Sequence, residues 1–290
     1  MSKISVAVLG ATGTIGQRFI QMLEDHPYFE IEGLYASERS QGKKLRDVLK
    51  VRDHVYLDDT MDRTIEVMDI AKISKSCRIA FSGIPSDLAG PTETELAESG
   101  VAVFTNAGSH RMDANVPILI PEVNPDHFES IKDQPTYKDG GFIVTNANCS
   151  STGIALPLVA IDKAFGLKQV FVSTYQALSG AGYPGVPSLD AVGNVVPFIS
   201  HEEEKMESEL AKMLGTYSDD RYPGAVGHDL EPGESEPAVG ICPEHLGELA
   251  LHLLLLVADE RDHVPDSVQG RDAWIARSGE RLVCGDEDLL

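Results

Sequence analysis

Cys149 lies in Asn146-Ala147-Asn148-Cys149-Ser150-Ser151-Thr152-Gly153, which joins an apolar run over 141–144 to a helix-like pattern over 153–165. A cysteine where a strand ends and a helix begins sits among backbone N–H groups without intrahelical partners, with Ser150, Ser151 and Thr152 at hand as caps. Positive potential there favours a thiolate, which attacks carbonyl or acyl carbons. The competing reading is a small buried residue, since free cysteine is among the most buried types. Two further groups are candidates by type. Arg111, in the loop Asn106-Ala-Gly-Ser-His-Arg-Met-Asp113, could clamp a carboxylate or phosphate, or lie solvated at the surface. A charged helix from Ser200-His-Glu-Glu-Glu-Lys-Met-Glu207 to about Leu214 reads mostly as a solvated face, with one or two side chains turned inward.

A second constellation is Gly10-Ala11-Thr12-Gly13-Thr14-Ile15-Gly16, between the apolar run 4–9 and a helix-like pattern through Ile15, Phe19, Ile20 and Leu23. A glycine turn between strand and helix lets backbone N–H groups approach a pyrophosphate, although a tight turn without ligand explains the glycines too. The next strand, about 29–35, ends at Ala36, where an NAD site would place an acidic residue for the ribose 2′-hydroxyl. Ser37, Arg39, Ser40 and Lys43 follow and suit a 2′-phosphate, which points to NADP; an ordinary polar loop is the alternative, and Glu38 is an unhelpful charge. The small-residue loop Ala177-Leu-Ser-Gly-Ala-Gly182, after a β-rich run over 169–176, would let a flat ring approach the backbone, or simply turn the chain.

The elements that must position these groups alternate. Strand candidates at 78–81, ending at Ser82-Gly83, and at 101–104 flank a helix over 87–98, which is the pattern of a doubly wound parallel sheet. The 290 residues suffice for one large or two ordinary domains. Cys77, Cys149, Cys242 and Cys284 are far apart with no Cys-x-x-Cys pair, which argues against zinc and against a disulfide framework. A formal charge of −22 with no basic stripe argues against nucleic acid and anionic membranes as partners. The run Leu249 to Ala258 is too short to span a bilayer, and the chain opens straight into a strand, so a cytoplasmic protein is expected.

Taken together, these stretches resemble aspartate-semialdehyde dehydrogenase, particularly its archaeal and fungal branch, from Lys3 to about Gly215. The matching pieces are Gly10 to Gln17, Ala36 to Lys43, Asn106 to Asp113, Asn146 to Gly153, Tyr175 to Gly182 and Glu202 to Met206. The resemblance implies an α/β fold: a Rossmann-like dinucleotide-binding domain over 1–148, an incomplete α+β catalytic and dimerisation domain over 149–216, and a divergent acidic tail over 217–290. It implies attack of Cys149 on the aldehyde, hydride transfer to NADP, and phosphate resolving the thioester to aspartyl phosphate. That chemistry belongs to lysine, threonine and methionine synthesis and the diaminopimelate pathway. Gln176 would orient the substrate, Glu202 would hold its amino group, and Arg111 with Lys205 would bind phosphate. Asn148 and nearby backbone N–H groups would stabilise the oxyanion. Gly10, Thr12, Gly13, Thr14, Ile15, Gly16, Ser82, Ser179 and Gly180 would join Ser37, Arg39, Ser40 and Lys43 around the cofactor. A homodimer or homotetramer is implied where the dimerisation domain is intact.

The resemblance stops near Gly215. The family continues with Asn-Arg-Val-x-Val, whose arginine binds the substrate carboxylate, and with a Gly-His whose histidine is the general acid/base. Gly227-His228 occurs here without a preceding Arg-Val-x-Val. The last 74 residues contain no Lys, Asn, Phe or Thr and carry 17 acidic against 5 basic side chains, so poor order is expected there. A one-nucleotide shift of Val226-Gly-His-Asp-Leu-Glu-Pro-Gly233 is compatible with Ser-Ala-Thr-Thr-x-Asn-Arg-Val, which points to a frameshift; natural divergence is the alternative. The rival functions are a malonyl-CoA or succinyl-CoA reductase with the same cysteine loop, and a non-catalytic NADP-binding protein. N-acetyl-glutamyl-phosphate reductase is disfavoured by its different cysteine loop.

Overall fold

The computed structural model describes residues 3–50, 54–167, 169–178, 185–196 and 199–215. Six parallel strands form one sheet: β1 (Ile4–Leu9), β2 (Phe29–Ala36), β3 (Ile65–Val67), β4 (Ile79–Ser82), β5 (Ala102–Thr105) and β6 (Phe142–Thr145), in the order β3-β2-β1-β4-β5-β6. β1 is central, and Val6 to Leu9 are fully buried because both faces of the sheet are covered. Alternation along β1 divides the core. Ala7 and Leu9 pack with Ile73, Leu96, Val103 and Ile143 on one face, Val6 and Val8 with Ile20, Leu34 and Ile65 on the other.

The crossover helices are α1 (Thr14–Leu23), α2 (Ile70–Ser76) and α3 (Ser86–Glu98), followed by α4 (Cys149–Phe165) and α5 (Glu202–Leu214). The strand order reverses between β1 and β4, whose carboxyl ends carry Gly10 and Ser82-Gly83. In open α/β sheets that crevice is where ligands bind.

The described residues fall into two compact units. The first contains those up to Ala155 together with those from Glu204 onward; the second is Leu156–Glu203. All of α5 but its first two residues thus groups with the unit that contains the sheet, whereas the sequence places it with the 149–216 segment. The run 169–176, read as β-rich, is not a strand: among the described residues no neighbouring strand pairs with it, and an extended segment without a ladder is not a sheet element. The expected tail over 217–290 lies outside the described residues. Among the described residues no helix is long and apolar enough to cross a membrane.

Candidate functional site

The glycine turn is built for close approach. Gly10 has φ +76°, and a Cβ there would lie 2.5 Å from the Gly83 carbonyl oxygen, so β1 and β4 could not converge around any other residue. A Cβ on Gly16 would overlap the Gly10 carbonyl. Gly13 differs: its Cβ would come no closer than 3.2 Å to Gly10 O, so the chain's own packing demands glycine there far less. Gly13 is also the N-cap of α1, with no side-chain cap and no acidic residue in the first turn, while its carbonyl accepts from Gln17 N. A ten-residue helix with an uncapped N-terminus fits a pyrophosphate. Thr12 and Thr14 are half-buried and Ile15 is exposed in this turn.

At the end of β2, Ser37 and Arg39 are exposed, Ser40 is half-buried and Lys43 is exposed. Among the described residues, neither Arg39 nor Lys43 has an ion-pair partner, which leaves both cations available to a phosphate. Ser82, expected near the cofactor, has its side chain turned into the core. It is fully buried, and its hydroxyl donates to Glu93 Oε1 at 2.6 Å, as does that of Thr105. Ser179 and Gly180 lie outside the described residues.

Cys149 is the first residue of α4 and is exposed. The helix starts four residues earlier than the apolar pattern indicates, because Asn148 caps it: Asn148 Oδ1 accepts from Ser150 N at 2.8 Å, and its carbonyl accepts from Thr152 N at 2.8 Å. Ser150 N is therefore already engaged. So is the N–H of Asn148, which donates to Glu209 Oε2 at 2.6 Å. Oxyanion donors, if drawn from this loop, must be others.

Arg111 stands beside this loop. Its Nε donates to Asn146 O at 2.9 Å, Nη2 to Asn106 O at 2.9 Å and Nη1 to Glu209 Oε1 at 2.8 Å. Three of its five N–H bonds are thus committed, and the guanidinium plane is fixed. The Arg111–Glu209 pair is largely out of water, with side-chain exposures of 12% and 3%; removing one partner of such a pair typically costs about 3–5 kcal/mol. One turn along α5, Lys212 Nζ donates to the carbonyls of Arg111, Asp113 and Val116, each at 2.7 Å. Burial pushes this ammonium down to about 8, opposed by Asp113. The end of α5 is tied as well: buried His127 bonds Gly215 O through Nε2 at 2.8 Å and Asn124 Nδ2 through Nδ1 at 3.0 Å.

Glu209, Lys212 and His127 are the residues that sequence reasoning missed. The signal was present in α5, where Glu202, Met206, Glu209 and Met213 recur at spacings of four, three and four, marking one helix face. All four are buried. Lys205 is exposed on the same helix. In the second unit, Gln176 Nε2 donates to Glu202 Oε1 at 2.7 Å, which joins two of the expected substrate residues. Among the described residues no cluster of three His, Cys, Asp or Glu side chains could hold a metal ion. His228 lies outside the described residues.

The family model for the semialdehyde dehydrogenase NAD-binding domain matches residues 5–131, and that for the semialdehyde dehydrogenase dimerisation domain matches 157–224. Aspartate-semialdehyde dehydrogenase of Aspergillus fumigatus is 38% identical over 252 residues, covering 86% of this chain and 69% of the relative. The enzyme of that name from Cryptococcus neoformans is 46% identical over 224 residues, covering 75% and 61%. The Methanothermobacter thermautotrophicus one is 46% identical over 217, covering 73% and 61%. The chain thus spans about six to seven tenths of the length of these relatives. A crystal structure of the Candida albicans aspartate semialdehyde dehydrogenase with NADP superposes with a TM-score of 0.69 at 35% identity, covering 77% of this chain and 64% of that one. With the glycine turn and the cysteine at the head of α4 in place, the chain belongs to the aspartate-semialdehyde dehydrogenase family.

Proposed function

We propose that this chain carries out the NADP- and phosphate-dependent oxidation of L-aspartate 4-semialdehyde to L-4-aspartyl phosphate, used in reverse for lysine, threonine and methionine synthesis. The observation that carries the proposal is the exposed Cys149 at the N-terminus of α4, in the loop whose Asn146 carbonyl the fixed guanidinium of Arg111 binds. The Cys149 sulfur attacks the aldehyde carbon, and the carbonyl π pair moves to oxygen. NADP, when bound, supplies the acceptor for the hydride that leaves this carbon, so that a thioester remains on Cys149. A phosphate oxygen then attacks the thioester carbon, and the S–C bond breaks to return the thiolate. Arg111 retains two N–H bonds beyond its three committed ones and holds the phosphate with exposed Lys205. Gln176 and Glu202, already paired, take the substrate carbonyl region and its ammonium. The turn Gly10, Thr12, Gly13, Thr14, Ile15 and Gly16, the backbone at Ser82, the loop at Ser179 and Gly180, and Ser37, Arg39, Ser40 and Lys43 hold the cofactor. The chain is proposed to assemble as a homodimer or homotetramer in the cytoplasm.

Absence of the family's Asn-Arg-Val-x-Val segment, and of a Gly-His in its context, sets the expected rate. A missing positioned acid/base lowers turnover by about 10²–10⁴-fold, so this chain should be slower than the Cryptococcus neoformans relative by that order. The test is NADPH formation from L-aspartate 4-semialdehyde, with and without phosphate, with NADP or NAD, in the 290-residue chain and in Cys149→Ser. Phosphate-dependent activity that prefers NADP and vanishes in Cys149→Ser supports the proposal. Oxidation of NADPH by malonyl-CoA or succinyl-CoA, with none of the semialdehyde reaction, would replace it with the acyl-CoA reductase reading. Tight NADP binding without any hydride transfer would favour a non-catalytic role.

A further inference from the structure

Glu209 is 2% exposed, carries no role in the reaction proposed above, and is the point where three chain segments meet. Its Oε1 takes Arg111 Nη1 from the 106–113 loop, and its Oε2 takes the N–H of Asn148 from the cysteine loop. Arg111 in turn donates through Nε to the carbonyl of Asn146. The Arg111–Glu209 pair therefore grips the cysteine loop at residues 146 and 148, the second of them next to Cys149. Lys212, one turn further along α5, fixes the backbone of Arg111 itself through its carbonyl. We infer that Glu209 is a positioning residue: one carboxylate sets the Arg111 guanidinium, and any anion it binds, at a fixed place relative to the Cys149 sulfur. The inference rests on the proposal that Cys149 is the nucleophile and Arg111 an anion-binding group.

The chemistry of the carboxylate is what makes it suited to this. An ionised carboxylate is acceptor-only and offers one oxygen to each of the two donors. A glutamine at 209 would have one acceptor oxygen, and its NH2 group would face a donor on the other side. An aspartate is one methylene shorter and, from the same helix position, reaches one of the two donors but not both. Charge alone works the other way, because a buried negative group near the thiol repels an incoming anion. Positioning and plain electrostatics thus predict opposite signs when the charge is removed.

That difference of sign is the test. The rate of Cys149 alkylation by iodoacetate, an anion, is divided by the rate with iodoacetamide, its neutral analogue, using the full chain and peptide mass spectrometry at Cys149. The ratio cancels any change in thiolate population, since both reagents meet the same sulfur and lose iodide. Arg111→Gln is measured first: a fall in the ratio establishes Arg111 as the anion-binding group, and an unchanged ratio overturns the proposal for Arg111 whatever Glu209 does. Given that fall, Glu209→Gln and Glu209→Asp are each expected to lower the ratio by about tenfold, the scale set by small misplacements of reacting groups. Glu209→Asp keeps the charge and carries the test if Glu209→Gln unfolds. A ratio equal to or above that of the unsubstituted chain in either folded variant overturns the positioning role. A rise in Glu209→Gln alone would assign Glu209 a purely electrostatic effect.

Discussion

Cys77 and Cys149 show how environment separates two thiols of one type. Cys77 ends α2 at 3% exposure, and burial pushes its thiol up, whereas Cys149 is exposed at a helix N-terminus. Iodoacetamide is therefore expected to label Cys149 well before Cys77, and partial labelling read by peptide mass spectrometry checks it; equal labelling of the two would count against a reactive Cys149. His127 offers a second test at this scale. Burial lowers its affinity for protons below the ordinary value of 6.5, opposed by its bond to Gly215 O. The folded chain then binds this proton more weakly than the unfolded one. The contribution to stability is complete above pH 6.5 and is lost as pH falls from there through the lower folded value, with a slope of at most about 1.4 kcal/mol per pH unit. Urea titrations between pH 7.5 and 5 should show this loss, and His127→Gln should flatten it. If the substitution leaves the slope unchanged, the imidazole is not the group responsible. His127 was not legible in the sequence, because its partners are the side chain of Asn124 and a carbonyl 88 residues away.

At the scale of elements, the glycine turn and the cysteine loop were legible because their small and hydroxyl residues interrupt apolar runs at strand ends. The strands read at 78–81, 101–104 and 141–144 each lie one residue later in the sheet, ending at Ser82, Thr105 and Thr145. Those terminal residues end the apolar runs with hydroxyls, and Ser82 and Thr105 are satisfied there by Glu93, which no local pattern announces. Helix α5 was legible as a helix and misleading as a surface, since charged side chains at 202, 209 and 212 are buried by pairing across long sequence separations. The glycine turn separates packing from binding. Gly16→Ala should destabilise the fold itself, because its Cβ would meet the backbone of Gly10 and Ala11 at 2.2–2.9 Å, whereas Gly13→Ala, with its nearest contact at 3.2 Å from Gly10 O, should lower the melting temperature far less and weaken NADP about tenfold, or 1.4 kcal/mol. Calorimetric titration beside thermal melts reads both effects. Unchanged NADP affinity in a folded Gly13→Ala chain would remove that turn from the cofactor site.

For the molecule as a whole, alternation of strand and helix made the doubly wound class legible, but not the order β3-β2-β1-β4-β5-β6 that brings Gly10 against Gly83. Nor did sequence foretell that the end of α5 returns to the nucleotide-binding unit, where Met213 packs on Ile118, Ala147 and Ala155. That return places Glu209 and Lys212 beside the cysteine loop, and it leaves in the first unit Cys149, Arg111 and the glycine turn, which are proposed above as nucleophile, anion-binding group and cofactor turn. The first half of the reaction, acyl transfer to sulfur with hydride release, is then the step the molecule should retain. The most direct measurement incubates the chain with NADP and L-aspartate 4-semialdehyde in the absence of phosphate, quenches in acid, and examines the Cys149 peptide by mass spectrometry. The account predicts an aspartyl thioester on Cys149, with no more than one NADPH formed per chain, removed when phosphate is added before the quench. NADPH formed with no acyl group on Cys149, or an unmodified Cys149 peptide from a chain shown to bind NADP, would contradict it.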